Sequence, residues 1–179
     1  MEIKTSWQYI AGFYDGEGTI GFRVVRDKRS SRRHGSLHGW YITPYMQLAN
    51  THLGCLEIIK DFLKNEGINA HIISIKYNTK PNNQPAFYLS VQAQEHIRKF
   101  INNIYPCSLI KKKQIDIYYK YFDIVKKLPK LNNKRPFWTR ELFLEALLLR
   151  DELKNTKARR RTKHKYNYDY FLNFFKNNP

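Results

Sequence analysis

The nine residues Ile10-Ala11-Gly12-Phe13-Tyr14-Asp15-Gly16-Glu17-Gly18 decide how this chain is read. They close a helical period and open an alternating one. Upstream, Ser6 is placed to cap a short helix over 6–15 in which Trp7, Ile10, Ala11 and Tyr14 recur at helical spacing; Gly16 and Gly18 are expected to break it. Downstream, residues 18–26 alternate, with Ile20, Phe22 and Val24 on one face and Thr19, Gly21, Arg23 and Val25 on the other. Gly12 and Gly16 lie four apart on one helix face with Ala11 adjoining. A face of such small residues lets two helix backbones approach closely. If two copies of this helix cross, the Glu17 carboxylates at their ends converge.

Working outward, residues 40–49 alternate again, and Pro44 within them suggests an edge or a bulge because it has no ladder donor. Residues 52–66 form a helix striped by Leu53, Leu56, Ile59, Phe62 and Leu63, closed by Gly67 in a left-handed position. Strands are expected over 71–77, with Ile73, Ile75 and Tyr77 inward, and over 86–92, with Phe87, Leu89 and Val91 inward. Helices are expected over 94–104 and 109–127, then, after the Pro-, Asn- and Lys-rich stretch 127–136, over about 140–153 and 168–175. Two ββα runs behind a first helix predict an α+β fold: an antiparallel sheet with helices on one face, followed by a C-terminal helical extension. The natural division is a core over 1–127 and a basic extension over 128–179. The second sheet face carries Arg23, Tyr41, Thr43, Tyr45, Gln47, Ser74, Lys76, Tyr88, Ser90 and Gln92, too polar for another core.

Composition narrows the partner. The 179 residues hold 32 Lys+Arg against 15 Asp+Glu, a formal net charge of +17. That excess points to a polyanion, nucleic acid or an anionic membrane surface. With 42% hydrophobic and 15% aromatic residues, the chain has the means to build a core, which excludes wholesale disorder. Cys55 and Cys107 match no metal-binding spacing, and two cysteines do not make a disulfide scaffold. His34 and His38 sit four apart in a Gly/Ser/Arg loop, a poor zinc site. No apolar run approaches a membrane span, and the first residues lack the pattern of a secretory or transit leader, so an intracellular location, cytoplasmic or organellar, is expected.

The segment 10–18 resembles the motif that names the LAGLIDADG homing endonucleases. Ala11, Gly12, Asp15 and Gly18 match it identically; Ile10, Phe13, Tyr14, Gly16 and Glu17 stand at its variable positions. The strand that follows, the αββαββα order and the length are similar to that family over residues 1–127, and loosely over 128–179. The resemblance implies a sheet shaped as a saddle over DNA. It places the metal-ligating carboxylate at Glu17 and gives Asp15 a more structural place near the helix end. It puts a catalytic polar residue at the end of the second strand, Asn50, which is equally placed to be the N-cap of the helix over 52–66; the two roles are compatible. It puts an active-site lysine within Pro106–Gln114, of which Lys111 is the best candidate, with Lys113 and Gln114 secondary. A cation there stabilises charge developing on a phosphate, although a phosphate-binding or merely solvated basic patch fits the same residues.

The resemblance further implies a hydrolase: a nuclease making double-strand breaks with short 3′ overhangs at a long pseudo-palindromic DNA site, using Mg²⁺ or another divalent cation such as Mn²⁺, from an intron- or intein-borne gene. One motif per chain and two DNA strands require a homodimer, with Ala11, Gly12, Asp15 and Gly16 at its interface. The polar sheet residues would read base edges, while Lys113 and the run Arg159, Arg160, Arg161 and Lys163 would hold phosphates. The alternative on the same scaffold is an RNA maturase or a non-cleaving DNA-binding protein; Glu17 argues for cleavage, because a pure binder has no use for an acid against phosphate.

Overall fold

A computed structural model describes residues 5–27, 37, 39–75, 85–130, 136–156 and 166–178. Within them run α1 (Trp7–Glu17), β1 (Gly18–Arg26), β2 (Trp40–Asn50), α2 (Leu53–Asn65), β3 (His71–Ile75), β4 (Ala86–Val91), α3 (Gln94–Ile104), α4 (Lys112–Lys126), α5 (Arg140–Asn155) and α6 (Tyr168–Asn177). The expected αββαββα order is present over α1–α3, with three further helices, α4, α5 and α6, after it. The sheet runs β1-β2-β4-β3, and β4 pairs antiparallel with both β2 and β3. Among the described residues no helix is long and apolar enough to cross a membrane.

The chain packs as two compact units, Met1–Gly21 with Pro44–Lys112 and Phe22–Thr43 with Lys113–Pro179. The first unit is built on aliphatic stripes. In α3, Ile97, Phe100, Ile101 and Ile104 recur at three- and four-residue steps and are all fully buried. Ile10 and Tyr14 of α1, Leu56, Ile59 and Leu63 of α2, and Leu89 and Val91 of β4 complete that core. Edge-to-face rings join its helices: Trp7 lies 5.2 Å from Phe62 and 6.0 Å from Phe100, and Tyr14 lies 6.0 Å from Phe100. The second unit is aromatic. Phe22 stacks on Tyr118 at 4.8 Å, Trp40 meets Phe171 edge-on at 5.1 Å, and Phe143 meets Phe171 at 4.8 Å. Tyr121 donates its hydroxyl to the Ile42 carbonyl at 3.1 Å, which satisfies the polar end of a buried ring. Arg150 donates to the Tyr166 carbonyl at 2.7 Å and Arg140 to the Asn178 carbonyl at 2.9 Å, tying α5 to both ends of α6.

Several expectations change. Helix α1 does not break at Gly16 but runs through it to Glu17, with Ser6 as the N-cap accepting from the Tyr9 N–H at 3.3 Å. Pro44 lies in β2, an inner strand of the sheet, but on a stretch that β4 does not reach, so on that side it is locally an edge, as its missing donor suggests. The ladder between β2 and β4 spans only Met46–Asn50, so the strand at Pro44 is already beyond β4 and its missing donor breaks no bond there. The N-cap of α2 is His52, whose Nδ1 accepts from the Cys55 N–H at 3.1 Å, and Gly67 has the expected positive φ of 69°. Helix α4 begins at Lys112, because the backbone of Leu109–Lys111 is claimed by another partner.

The phase of β3 is reversed. Ile72 pairs with buried Leu89, while Ile73 pairs with Tyr88 and Ile75 with Ala86. Directly opposed residues share a face, so Ile73 and Ile75 point away from the Leu89 core, where the sequence reading had placed them inward. Ser74, opposite Phe87, falls on the core side of the sheet and does not share a face with Tyr88.

Candidate active site

Asp15, Glu17 and Gly18 sit where α1 ends and β1 begins. A Cβ on Gly18 would run into the Tyr14 ring, so this step needs glycine for space and not for backbone angle. The helix end leaves carbonyls without intrahelical donors and a partial negative charge. Lys111 adds donors there: its Nζ donates to the Tyr14 carbonyl at 2.7 Å, which also accepts from the Gly18 N–H, and to the Gly18 carbonyl at 2.6 Å. The same ammonium lies 5.3 Å above the Tyr14 ring.

The exchange is reciprocal. Asp15 Oδ1 accepts from the Ser108 hydroxyl at 2.6 Å and the Lys111 N–H at 3.2 Å; Oδ2 accepts from the Leu109 N–H at 2.6 Å and the Ile110 N–H at 3.1 Å. The carboxylate thus caps the segment leading into α4 while that segment's lysine caps α1. Burial alone would raise the Asp15 carboxyl, but the Ser108 hydroxyl and the three backbone N–H groups outweigh it and hold it below the ordinary carboxylate value. Burial also pulls the Lys111 ammonium below the usual lysine value, against the attraction of Asp15 and Glu17. An ammonium has three donors; among the described residues two are used, and the third is open to a ligand.

Asp15→Asn replaces one acceptor by a donor that faces donors, and should cost about 2–3 kcal/mol of stability in a denaturant titration. The pH dependence has a definite sign. A carboxyl held lower in the fold than in the unfolded chain stabilises fully above the unfolded value, and that contribution disappears as pH falls through the folded one. The parent protein should therefore lose stability below about pH 3.9 more steeply than Asp15→Asn does.

Glu17 closes α1 and is exposed, and no hydrogen bond or ion pair among the described residues engages its carboxylate. No group of three or more His, Cys, Asp or Glu able to hold a metal occurs among the described residues. That donor set does not make a closed protein cage. It does suit a hard cation that keeps its waters and takes the rest of its ligands from phosphate, as Mg²⁺ does.

The sequence candidates divide. The structure brings Asp15, Glu17 and Lys111 together. Asn50 is held apart from capping α2: its Oδ1 accepts from the His52 N–H at 2.8 Å, a local turn at the end of β2. On α1, Gly12 and Gly16 are exposed and a Cβ on either would meet nothing within 4 Å, but Ala11 is fully buried in its own chain and Asp15 is occupied by the Ser108–Lys111 segment. Of the sheet residues, Arg23 and Tyr41 are exposed and Thr43, Tyr45, Gln47 and Tyr88 half-buried, with the Tyr45 ring lying where a Cβ on Gly21 would be. Ser90 is fully buried, a short side chain flanked in register by Gln47 and His71, so it offers nothing to a base edge. Lys113 is exposed near the start of α4. Lys76, Arg159, Arg160, Arg161 and Lys163 lie outside the described residues. Sequence reading missed the Asp15 clasp, which joins residues more than 90 positions apart, and the outward turn of Ile73.

A sequence model of the LAGLIDADG endonucleases matches residues 10–125. No curated protein sequence matches the chain. Similar solved structures include an archaeal intron-encoded homing endonuclease, I-Vdi141I, complexed with DNA (18% identity over 96% of this chain and 94% of that one, TM-score 0.67). The homing endonuclease I-CvuI in complex with its target aligns at 15% identity over 96% of this chain and 92% of that one, with a TM-score of 0.68. I-TnaI aligns at 14% identity over 97% and 99%, with a TM-score of 0.59. At such identities these structures speak for the fold. The match of the sequence model runs through the motif helix and both ββα runs, and on that ground the chain belongs to the LAGLIDADG endonuclease family.

Proposed function

We propose that this protein is a site-specific, divalent-metal-dependent DNA endonuclease acting as a homodimer inside the cell, with residues 1–127 as its catalytic core and 128–179 as a basic extension. The observation that carries this reading is the exposed Glu17 carboxylate at an α1 end fixed by Lys111 and Asp15. One chain offers one such carboxylate, and a double-strand break needs a reaction on each strand, so two copies act together. Gly12 and Gly16 form the open stripe on which two α1 helices meet, which brings the Glu17 side chains to the same place. Glu17 would hold the divalent cation with phosphate oxygens and water. Such a cation, when bound, activates water and stabilises the leaving oxygen.

Lys111 presents its remaining N–H toward charge developing on the phosphate, and its two carbonyl bonds keep it from swinging away. Asp15 is a positioning residue: it orders Leu109–Lys111 and through them the ammonium. Asn50 is a candidate for orienting water, limited by the turn that holds its oxygen. Strand residues Arg23, Tyr41, Thr43, Tyr45, Gln47 and Tyr88 read base edges, and Lys113 with Arg159, Arg160, Arg161 and Lys163 holds phosphates. Among the similar structures, I-CvuI was solved with DNA in calcium and in magnesium, which supports use of a divalent cation. The test is to incubate purified protein with DNA spanning its own gene's insertion site, with and without Mg²⁺. The expected product is a single double-strand break with short 3′ overhangs, formed only with the cation; intact DNA under both conditions would reject the proposal.

A further inference from the structure

Pairing fixes a row of residues across the sheet face opposite the Leu89 core. Ala49 stands opposite Tyr88, and Tyr88 opposite Ile73; the next row holds Gln47, Ser90 and His71. Ile73 is 36% exposed, although its neighbour Ile72 turns toward Leu89. Ile75, opposite Ala86, continues the apolar edge. Part of the Ile73 side chain is thus presented to solvent beside the polar row of Gln47, Ser90 and His71.

We infer that Ile73, with Tyr88 and Ile75 beside it, recognises the 5-methyl group of thymine in the major groove and so fixes a T at one position of each half-site. The inference rests on the proposed DNA-cleaving function and adds the base that the strand selects. A side chain with neither donor nor acceptor can favour only an apolar feature of a base edge, and in the major groove that feature is the thymine methyl. The occupant is DNA and not an apolar protein surface for two reasons: the chain carries a net charge of +17, and the apolar strip is small, two rows at one end of the ladder, bordered by the polar row of Gln47, Ser90 and His71. Two copies related by a two-fold axis would place the selected thymines symmetrically.

The test uses duplexes selected by the full-length protein from a randomised library, re-synthesised with deoxyuridine replacing thymine one position at a time. Deoxyuridine keeps the base pair and removes only the methyl. At one position in each half-site the parent should lose affinity about four-fold, the equivalent of ~0.8 kcal/mol for a buried carbon. Ile73→Ala should bind thymine and deoxyuridine duplexes equally at that position, and Ile73→Val should restore the difference. Ile73→Ala should melt somewhat lower than the parent, because about two-thirds of the side chain is covered, so binding is compared at a temperature where all three proteins are folded. Specific DNA binding that ignores deoxyuridine everywhere, or an Ile73→Ala variant as sensitive as the parent, would overturn this inference and leave the proposed function standing. No sequence-preferring DNA binding at all would overturn both.

Discussion

Glu17→Gln binds target DNA as tightly as the parent and cleaves it at least about 1,000-fold more slowly, the loss expected when several kcal/mol of metal-assisted stabilisation disappear from the transition state. The substitution keeps the length of the side chain and removes its charge, and a neutral amide is a poor ligand for a hard cation. Because no hydrogen bond or ion pair among the described residues uses the Glu17 carboxylate, the fold does not depend on it. The Tyr14 and Gly18 carbonyls remain satisfied by Lys111, so the site keeps its shape. Gel-shift titration and single-turnover cleavage with Mg²⁺ separate the two effects. Parental cleavage by this variant would remove Glu17 from the chemistry; lost binding would mean that it acts on affinity.

Gly12→Leu is expected to sediment as a well-folded monomer without nuclease activity. A Cβ on Gly12 meets nothing within 4 Å in the chain, and the position lies inside α1, where leucine is favoured over glycine by about 0.5–1 kcal/mol. The monomer should therefore melt no lower than the parent's own fold. The damage falls on the close approach of two helices, which four added carbons at the crossing forbid. An association constant at least about 100-fold weaker, close to 3 kcal/mol, is expected by sedimentation equilibrium. A parent that is monomeric both free and on DNA would refute the dimer, and a dimeric, active Gly12→Leu would move the interface off this stripe.

What the sequence determined by itself is what local periodicity and short-range chemistry control. The α1 stripe, the Ser6 cap, the alternation of β2 and the left-handed Gly67 all follow from residues a few positions apart, and the structure keeps them. Glu17 at the helix end and the open Gly12–Gly16 stripe were readable for the same reason. Where the signal was ambiguous, tertiary pairing decided. The strand His71–Ile75 has isoleucine at 72, 73 and 75, so its own pattern selects no face; the ladder to β4 does, and it sends Ile73 outward. The boundary of α4 was equally out of reach. Leu109–Lys111 would extend that helix by propensity, but Asp15, far away in sequence, takes their N–H groups and starts the helix at Lys112. A carboxylate able to satisfy several backbone donors at once outweighs one turn of helix, and only the fold brings it there.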